Sequence, residues 1–470
     1  MYGLHVIGYV GIAILVSAIS SPTIFGENLR SNFISRSSED ITEIILKNNN
    51  QNETNYIFSP FGYSVILGIL SEGARGDTRD ELRKVLHSPE DTKVIRENFR
   101  NTLERLQEKA TPANIPEFRN YFYVYKNFTV DDDYKSILLE NYFTEVKSVD
   151  RPTSYDEFSN SVNLSATEDT TKEKLPISVQ QDSTKKPILH RKRRSSRNYK
   201  INAAKINHNR IKRLAKRFLG VELEDKAKSE ISSFSANRLQ SDARGSGVLS
   251  KMIIFNGLYF KGYWKIPFQY KNGEEPFHKT NSETIMTKMI YSVGEFNIGH
   301  IPELDSFVFA LPYKGERYSF IIILPNQKND IHKLIYGLNK ISLNSLYTKL
   351  EPRHVQISIP VFEFNSISYL KEPLKSIGVQ KIFSEEADFK GLSKDNGLFV
   401  DDVVQLVTIK VDNEVGTPNF LTASSLQTRT VTEKFTADRP FVFFIQDHKD
   451  DLIIAAGKLF DPKKQENVVN

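Results

Sequence analysis

Residue types that carry out covalent chemistry are few in this chain of 470 residues, and their spacing forms no recognisable catalytic group. No cysteine is present, which excludes a thiol nucleophile, a cysteine-ligated zinc ion and any disulfide. The sequence also has no G-x-S-x-G elbow, no H-E-x-x-H pair and no P-loop, and its histidines are scattered. We therefore expect no catalytic centre, no metal ion and no cofactor, and we interpret the chain as something other than an enzyme.

Residues 412–435 are the stretch we single out, because their composition differs sharply from that of the segments on either side. Residues 412–435 are small, polar and unpatterned, although "LVTIKV" before them and "PFVFFI" after them predict buried strands. A structureless connection longer than about 12–15 residues is uncommon in a compact domain and is usually functional or disordered. We therefore expect the function of the protein to depend on this loop.

The regular elements that must position this loop are interrupted once along the chain. Between residues 56 and 149, "PFGYSVILGILSEGA" and "TRDELRKVL" have the apolar spacing of helices, and "EFRNYFYVY" reads as a strand. Residues 151–217 lose this pattern and become rich first in Ser, Thr, Asp and Glu and then in Lys and Arg. Such a composition cannot offset its ordering entropy by burial. We predict a disordered, basic insertion, after which regular structure resumes from residue 218.

The insertion contains "HRKRRSSR", which has the multibasic form that secretory-pathway convertases cut. Cleavage by a proprotein convertase after Arg194 is one interpretation, because a flexible exposed segment is what a protease needs. Binding of a heparin-like glycosaminoglycan or another polyanion is a second. A basic linker that stays solvated is the third. The residues concerned are Arg191, Lys192, Arg193 and Arg194.

Residues 1–20 predict a secretory signal peptide. Their apolar run is too short to span a bilayer, and Ala18 and Ser20 supply the small residues of a cleavage site. No later stretch reaches the roughly 18 apolar residues of a spanning helix, so we expect a secreted, extracellular protein without a membrane span. Candidate glycosylation sites are the sequon residues Asn52, Asn127 and Asn163.

Five long segments resemble the serpins, in serpin order and at serpin spacing. They are "IFSPFGYSVILGILSEGARGDTRDEL", "FNGLYFKGYWKIPF", "ELDSFVFALPYKGERYSFIIILP", "LKEPLKSIGVQKIFSEEADFKGLS" and "ADRPFVFFIQDHKDDLIIAAGKLFDP". The resemblance implies a monomer with one α+β domain, in which three β-sheets and about nine helices carry an exposed reactive-centre loop. Residues 21–150 and 218–470 would form the two parts of that domain, and residues 412–435 its loop.

The resemblance also implies a mechanism in which the protein is consumed rather than turned over. In this family a serine protease attacks a bond near the C-terminal end of the loop and becomes joined to it as an ester. The freed N-terminal part of the loop then inserts as an extra strand into the large sheet, and the attached protease is carried along and deformed. The implied partner is a trypsin-like serine protease held in a covalent complex.

Two counts locate the bond that would be cut. Counted back from "RPF", the family's scissile residue falls eleven positions before Pro440, which is Arg429. Counted forward from Glu414, it falls on Thr430, a difference that one extra residue around Asp412 would explain. An exposed arginine fits the acidic specificity pocket of trypsin-like proteases, which favours Arg429–Thr430 as the reactive bond. The alternative is a solvated surface arginine without a role.

The hinge that begins the loop departs from the family pattern. Glu414, Gly416 and Thr417 match the family's Glu-x-Gly-Thr, but Pro418 follows where inhibitory members carry a run of small residues. Proline has no N–H to donate to a central strand. A non-inhibitory serpin that acts as a carrier or ligand-binding protein is therefore the alternative function.

The region where the sheet would open has both matches and departures. Ser59, Asn256 and Trp264 match serpin positions around the opening, and we expect Trp264 to pack at the top of the sheet. Gln405 stands where serpins usually carry a histidine, and Gly62 where they usually carry a serine.

Overall fold

The computed structural model describes residues 32–107, 114–125, 128–149, 250–328, 330–413 and 433–464. The predicted signal peptide, the predicted insertion and most of the loop lie outside these ranges. Within them the chain has seven α-helices: α1 (Phe33–Asn48), α2 (Pro60–Gly73), α3 (Gly76–Leu86), α4 (Thr92–Gln107), α5 (Asp132–Asn141), α6 (Ile331–Gly337) and α7 (Lys371–Ser376). The helices predicted from "PFGYSVILGILSEGA" and "TRDELRKVL" are confirmed as α2 and α3.

Fourteen strands accompany these helices in the described ranges. They are β1 (Tyr56–Phe58), β2 (Asn114–Tyr125), β3 (Glu145–Val149), β4 (Ser250–Gly262), β5 (Gln269–His278), β6 (Thr284–Ile301), β7 (Ser306–Pro312), β8 (Tyr318–Pro325), β9 (Glu351–Pro360), β10 (Phe362–Tyr369), β11 (Leu398–Val411), β12 (Glu433–Thr436), β13 (Phe441–Asp447) and β14 (Leu452–Leu459). The strands predicted on either side of the loop and from "EFRNYFYVY" are confirmed within β11, β13 and β2.

Two hydrogen-bonded sheets hold these strands, whereas the resemblance implied three. The five-stranded sheet has the order β10-β11-β4-β2-β3, and the nine-stranded sheet has the order β1-β14-β13-β8-β7-β6-β9-β12 with β5 beside β6. Strand β6 is 18 residues long; its first part pairs with β5 and its last part, Asn297–Ile301, pairs with β7. Because this one strand runs through both regions, two of the expected sheets are joined into one.

Helix α2 lies between the two sheets and packs against β4 of one and β14 of the other. All of its residues are buried, as is usual for a helix that is apolar on every side. Its start is well defined, because Pro60 occupies the first turn and the Ser59 hydroxyl accepts a hydrogen bond from the Gly62 amide at 3.1 Å. The N-terminus of α2 is therefore fixed at the centre of the molecule.

The pairing of β11 with β4 sets where the loop begins. These two neighbours run parallel, so their C-terminal ends lie at the same edge of the five-stranded sheet, and the loop leaves from that edge after Val411. The register between β10 and β11 is regular from Val404 to Val411. The extra residue that we placed around Asp412 is thus not accommodated in this stretch of β11.

No helix in the described part of the chain is long and apolar enough to cross a membrane.

Candidate functional site

Most of the predicted loop lies outside the described residues, and its chemistry therefore stays a prediction. This holds for the reactive bond Arg429–Thr430 and for the hinge residues Glu414, Gly416, Thr417 and Pro418. The structure describes both ends of the loop, up to residue 413 and from residue 433. It also describes the part of the sheet that would have to open.

Trp264 connects the C-terminal ends of β4 and β11. It follows the end of β4 by two residues, and its indole Nε1 donates a hydrogen bond of 2.7 Å to the carbonyl oxygen of Asp412, the residue after β11. The indole also stacks on the ring of Tyr313, with 4.6 Å between the ring centroids. Trp264 is 7% exposed, so it packs at this edge as expected. The hydrogen bond to the base of the loop was not foreseen from the sequence.

The junction of Trp264 with Asp412 is reinforced by an ion pair and by a buried ring. The Lys410 ammonium pairs with the Asp412 carboxylate at 2.5 Å, which fixes the side chain of the residue whose carbonyl Trp264 holds. Tyr313 is buried beneath the indole, and this burial raises the pKa of its phenol well above the ordinary range, so the ring stays neutral. The starting point of the loop is therefore held by a hydrogen bond, an ion pair and a stacked ring pair.

Below the junction, a row of amide side chains crosses the middle of the five-stranded sheet. Gln405 on β11 is the register partner of Asn256 on β4, which is the register partner of Asn120 on β2. The Gln405 amide nitrogen donates to Asn256 Oδ1 at 3.0 Å, and the Asn256 amide nitrogen donates to Asn120 Oδ1 at 2.8 Å. The row joins three strands through neutral hydrogen bonds.

The same glutamine also joins the sheet to α2. Its Oε1 accepts a hydrogen bond from the Ser59 backbone N–H at 2.8 Å, and its Nε2 donates to the Ser59 carbonyl at 3.1 Å. The Ser59 hydroxyl in turn donates to the carbonyl of Ile454 on β14 at 2.6 Å. Ser59, Asn256 and Gln405 are each at most 1% exposed. We refer to Ser59, Gly62, Asn120, Asn256 and Gln405 as the Gln405 cluster.

The Gln405 cluster brings together three of the four residues predicted for the sheet opening, while Trp264 lies nearer the loop. Gly62 joins them through its position in the first turn of α2. Asn120 was missed, because nothing in the sequence signals that it faces Asn256 across two strands 136 residues apart. The one hydroxyl of this cluster, on Ser59, donates its proton to the Ile454 carbonyl, and the Gln405 contacts hold β11 against β4 and α2.

The far end of the loop is anchored in the nine-stranded sheet. Strand β12 pairs in parallel with β9, and Phe435 packs its ring against Phe307 and Phe309 at centroid distances of 5.4 and 5.3 Å. The exposed charged residues Glu433 and Lys434 occupy the start of this edge strand, where charge discourages pairing with another chain. Both ends of the loop are therefore fixed to different sheets.

Only some of the remaining predicted sites lie among the residues that the structure describes. Asn52 is exposed in the turn after α1, and its backbone carbonyl accepts a hydrogen bond from Lys458 Nζ. Asn127 and Asn163 lie outside the described residues, as does the basic cluster from 191 to 194. In the ranges that the structure covers, no group of three acidic or histidine residues could hold a metal ion.

Comparison with known proteins agrees with the resemblance. The family profile described as serpin (serine protease inhibitor) matches residues 40–189 and 196–462. Leukocyte elastase inhibitor of Bos taurus is 25% identical over 421 residues, which cover 87% of this chain and 93% of that protein. Iripin-3 of Ixodes ricinus is 26% identical over 416 residues, covering 86% and 88%. These matches cover most of the chain.

Solved structures share the fold. Serpin48 of the insect Tenebrio molitor, described as a highly specific serpin, aligns with a TM-score of 0.64 and 22% identity over 92% of this chain and 99% of that chain. Native protease nexin-1 with heparin aligns with a TM-score of 0.65 and 20% identity over 92% and 99%. The predicted α+β fold class is thereby confirmed.

Proposed function

The chain belongs to the serpin family, and on that premise we propose that it is a secreted suicide inhibitor of a trypsin-like serine protease, attacked at the Arg429–Thr430 bond. The observation that carries the proposal is the parallel pairing of β11 with β4 at the edge where the loop begins. A loop segment that turned back after Asp412 and entered between these strands would run antiparallel to both. One parallel pairing would be replaced by two antiparallel ones, which are slightly more stable per residue.

The covalent step follows from the chemistry of the attacking enzyme. The protease's serine oxygen adds to the carbonyl carbon of Arg429 and passes its proton to the enzyme's histidine. The bond to Thr430 then breaks, and Thr430 leaves as a free amine that takes up that proton. An ester between the serine and Arg429 remains. Each ladder hydrogen bond formed by the inserting segment contributes about 0.5–1.5 kcal/mol net, so about ten of them favour the inserted state of the freed segment.

Relatives support protease inhibition as the class of activity. Leukocyte elastase inhibitor of Bos taurus and of Xenopus tropicalis and Serine protease inhibitor 2 of Anopheles gambiae are named as inhibitors. The choice of a trypsin-like target rests on Arg429, because an arginine side chain pairs with an acidic specificity pocket. An extracellular proteolytic cascade is the setting that a secreted inhibitor of this kind fits.

Mixing the purified protein with trypsin tests the proposal. We expect a complex that survives boiling in detergent, with the protease joined to the chain through Arg429. Sequencing of the released C-terminal fragment should begin at Thr430. Cleavage after Arg429 without any complex would contradict inhibition.

A non-inhibitory serpin that serves as a carrier or ligand-binding protein is the second candidate. Pro418 favours it, because a proline at the hinge removes a backbone donor from a strand that would lie in the middle of the sheet. The trypsin experiment separates the two functions, since a carrier would be cleaved as an ordinary substrate.

Secretion and glycosylation are part of the same proposal. The exposed position of Asn52, in a turn whose backbone is held by Lys458, makes that sequon accessible to the transferase that acts on exported chains. Expression in a secretory cell should yield protein in the medium that lacks residues 1–20 and loses mass on treatment with a peptide N-glycosidase. Retention inside the cell would contradict the assignment.

A further inference from the structure

Two departures from the serpin pattern, Gly62 and Gln405, lie in contact although 343 residues separate them. Gly62 is in the first turn of α2, and its φ is not positive, so its backbone conformation does not require glycine. Alanine is ordinarily favoured over glycine within a helix. The reason for glycine at this position must therefore come from the neighbouring side chains.

Those side chains occupy the space that any larger residue would need. A β-carbon placed on Gly62 would lie 2.2 Å from Asn256 Oδ1 and 2.6 Å from Gln405 Nε2. These distances are far below van der Waals contact. The Asn256 and Gln405 amides together fill the volume left by the missing side chain, and from there Gln405 reaches both backbone groups of Ser59 and the amide of Asn256.

The hydrogen bond from Gln405 to Asn256 spans the two strands between which the loop would insert. Both residues are buried, and their amides are also bonded on their other sides, to Ser59 and to Asn120. Separating β11 from β4 breaks the Gln405–Asn256 bond and leaves buried amide groups without partners. Such groups are costly to leave unpaired.

We propose that Gly62 and Gln405 form one coupled unit, in which the glycine supplies the space and the glutamine restrains the separation of β11 from β4. Gln405 is a positioning residue here, because it acts through Asn256 and Ser59 and touches no protease. The kinetic part of this inference rests on the proposed loop insertion. The coupling between the two residues is a property of the folded protein and needs no protease to be measured.

A double-mutant cycle tests the coupling. Gly62→Ala should lower the urea midpoint in the wild-type background, because the added methyl displaces Gln405 and Asn256. In the Gln405→Ala background the same substitution should lower the midpoint less, because one of the two obstructing amides is gone and Asn256 Oδ1 loses the hydrogen bond that holds it in the path of the added methyl. The same change of midpoint in both backgrounds would overturn the coupling.

Two further variants serve as controls for the cycle. Gly257→Ala, at the next residue after Asn256 on β4, adds a methyl where nothing lies within 4 Å and should have the same effect in both backgrounds. Gln405→Met keeps a side chain of similar length but removes the hydrogen bonds. It should not rescue Gly62→Ala, because the steric conflict remains; rescue by methionine would show that space is not what couples the two positions.

The restraint on sheet opening is tested with a synthetic peptide of residues 414–425, the first half of the loop. Its uptake as an added strand can be followed by the fluorescence of Trp264, the chain's one tryptophan, whose indole bonds to the residue after β11. We expect Gln405→Met to take up the peptide at least about tenfold faster than wild type, and Gly257→Ala at the wild-type rate.

Each outcome of the peptide experiment bears on the proposal. Equal uptake by wild type and Gln405→Met would overturn the restraint. No uptake by either protein would also overturn it, since there would be no sheet opening to restrain, and it would count against loop insertion as well. The double-mutant cycle would still decide separately whether Gly62 and Gln405 are coupled.

Discussion

Arg429 is the residue on which the proposed specificity depends, and its effect should be separable from stability. An exposed loop side chain contributes little to the fold, so Arg429→Ala should abolish complex formation with trypsin and leave the thermal unfolding temperature unchanged. Arg429→Lys is the matched control, because it keeps the positive charge that the acidic pocket binds. Complexes would be counted by gel electrophoresis after boiling. Undiminished complex formation by Arg429→Ala would end the assignment of the reactive bond.

Lys458 is a buried cation on β14 whose titration should be visible in the stability of the protein. Its Nζ donates to the carbonyls of Asn49, at 2.6 Å, and Asn52. Burial lowers the pKa of the ammonium to about 8, with a smaller opposing effect from Glu53. Between about pH 8 and the unfolded pKa of about 10.4 the folded state therefore binds fewer protons than the unfolded state.

The sign of this linkage predicts that the free energy of unfolding rises with pH through that window. Below pH 8 the buried ammonium of Lys458 lowers the free energy of unfolding. This destabilisation is relieved as the ammonium loses its proton, so the free energy of unfolding rises by up to about 1.4 kcal/mol per pH unit. Lys458→Met should remove this rise. The difference in free energy of unfolding between wild type and Lys458→Met, measured with urea, should therefore change between about pH 8 and pH 10. A difference that does not vary with pH would contradict the lowered pKa.

At the scale of the elements, the predicted insertion of residues 151–217 has three alternative roles: a convertase cleavage site, a polyanion-binding segment or a solvated linker. If a convertase acts there, secreted wild-type protein should be cut after Arg194, and replacing the four residues from 191 to 194 by alanine should leave it intact in mass spectrometry. If the cluster binds a polyanion, the same variant should elute from heparin at lower salt, because exposed charges are screened beyond about 10 Å at 0.1 M salt.

A charge-matched variant distinguishes sequence from charge in this segment. Replacement by alanine of four other basic residues of the insertion, Lys212, Arg213, Lys216 and Arg217, removes the same charge but keeps the multibasic site. This variant should elute from heparin at lower salt than the wild type if net charge decides binding. It should still be cut if the convertase recognises residues 191–194. If the wild type and both variants are secreted intact and elute at one salt concentration, the insertion is an inert linker.

For the whole molecule, we expect that insertion of the cleaved loop into the five-stranded sheet raises the thermal stability of the protein. Cleavage in the loop by any protease frees its N-terminal part to enter between β11 and β4. About ten new ladder hydrogen bonds, at about 1 kcal/mol each, should then raise the thermal unfolding temperature by at least about 10 °C. Calorimetry of the intact and the cleaved protein makes the comparison, with a protease that forms no covalent complex and is removed before heating. Equal unfolding temperatures would mean that the loop does not insert.

The sequence by itself determined the elements and the site of the loop. The apolar spacing of "PFGYSVILGILSEGA" was enough to predict α2, because the hydrophobic pattern of a helix is a local property of the sequence. The apolar runs "LVTIKV" and "PFVFFI" were enough to bracket a long polar connection between strands. The family motifs then supplied the fold class, because they are long and keep their order along the chain.

Only the tertiary structure decided which of these residues act together. Gln405 and Asn256 are 149 positions apart, and Trp264 and Asp412 are 148 apart, and each pair meets because β11 and β4 are parallel neighbours in one register. Strand register is set by packing across the whole sheet, and no local pattern along the chain records it. The need for glycine at position 62 has the same origin, since the space it leaves is filled by the Asn256 and Gln405 side chains, which come from two strands distant along the chain.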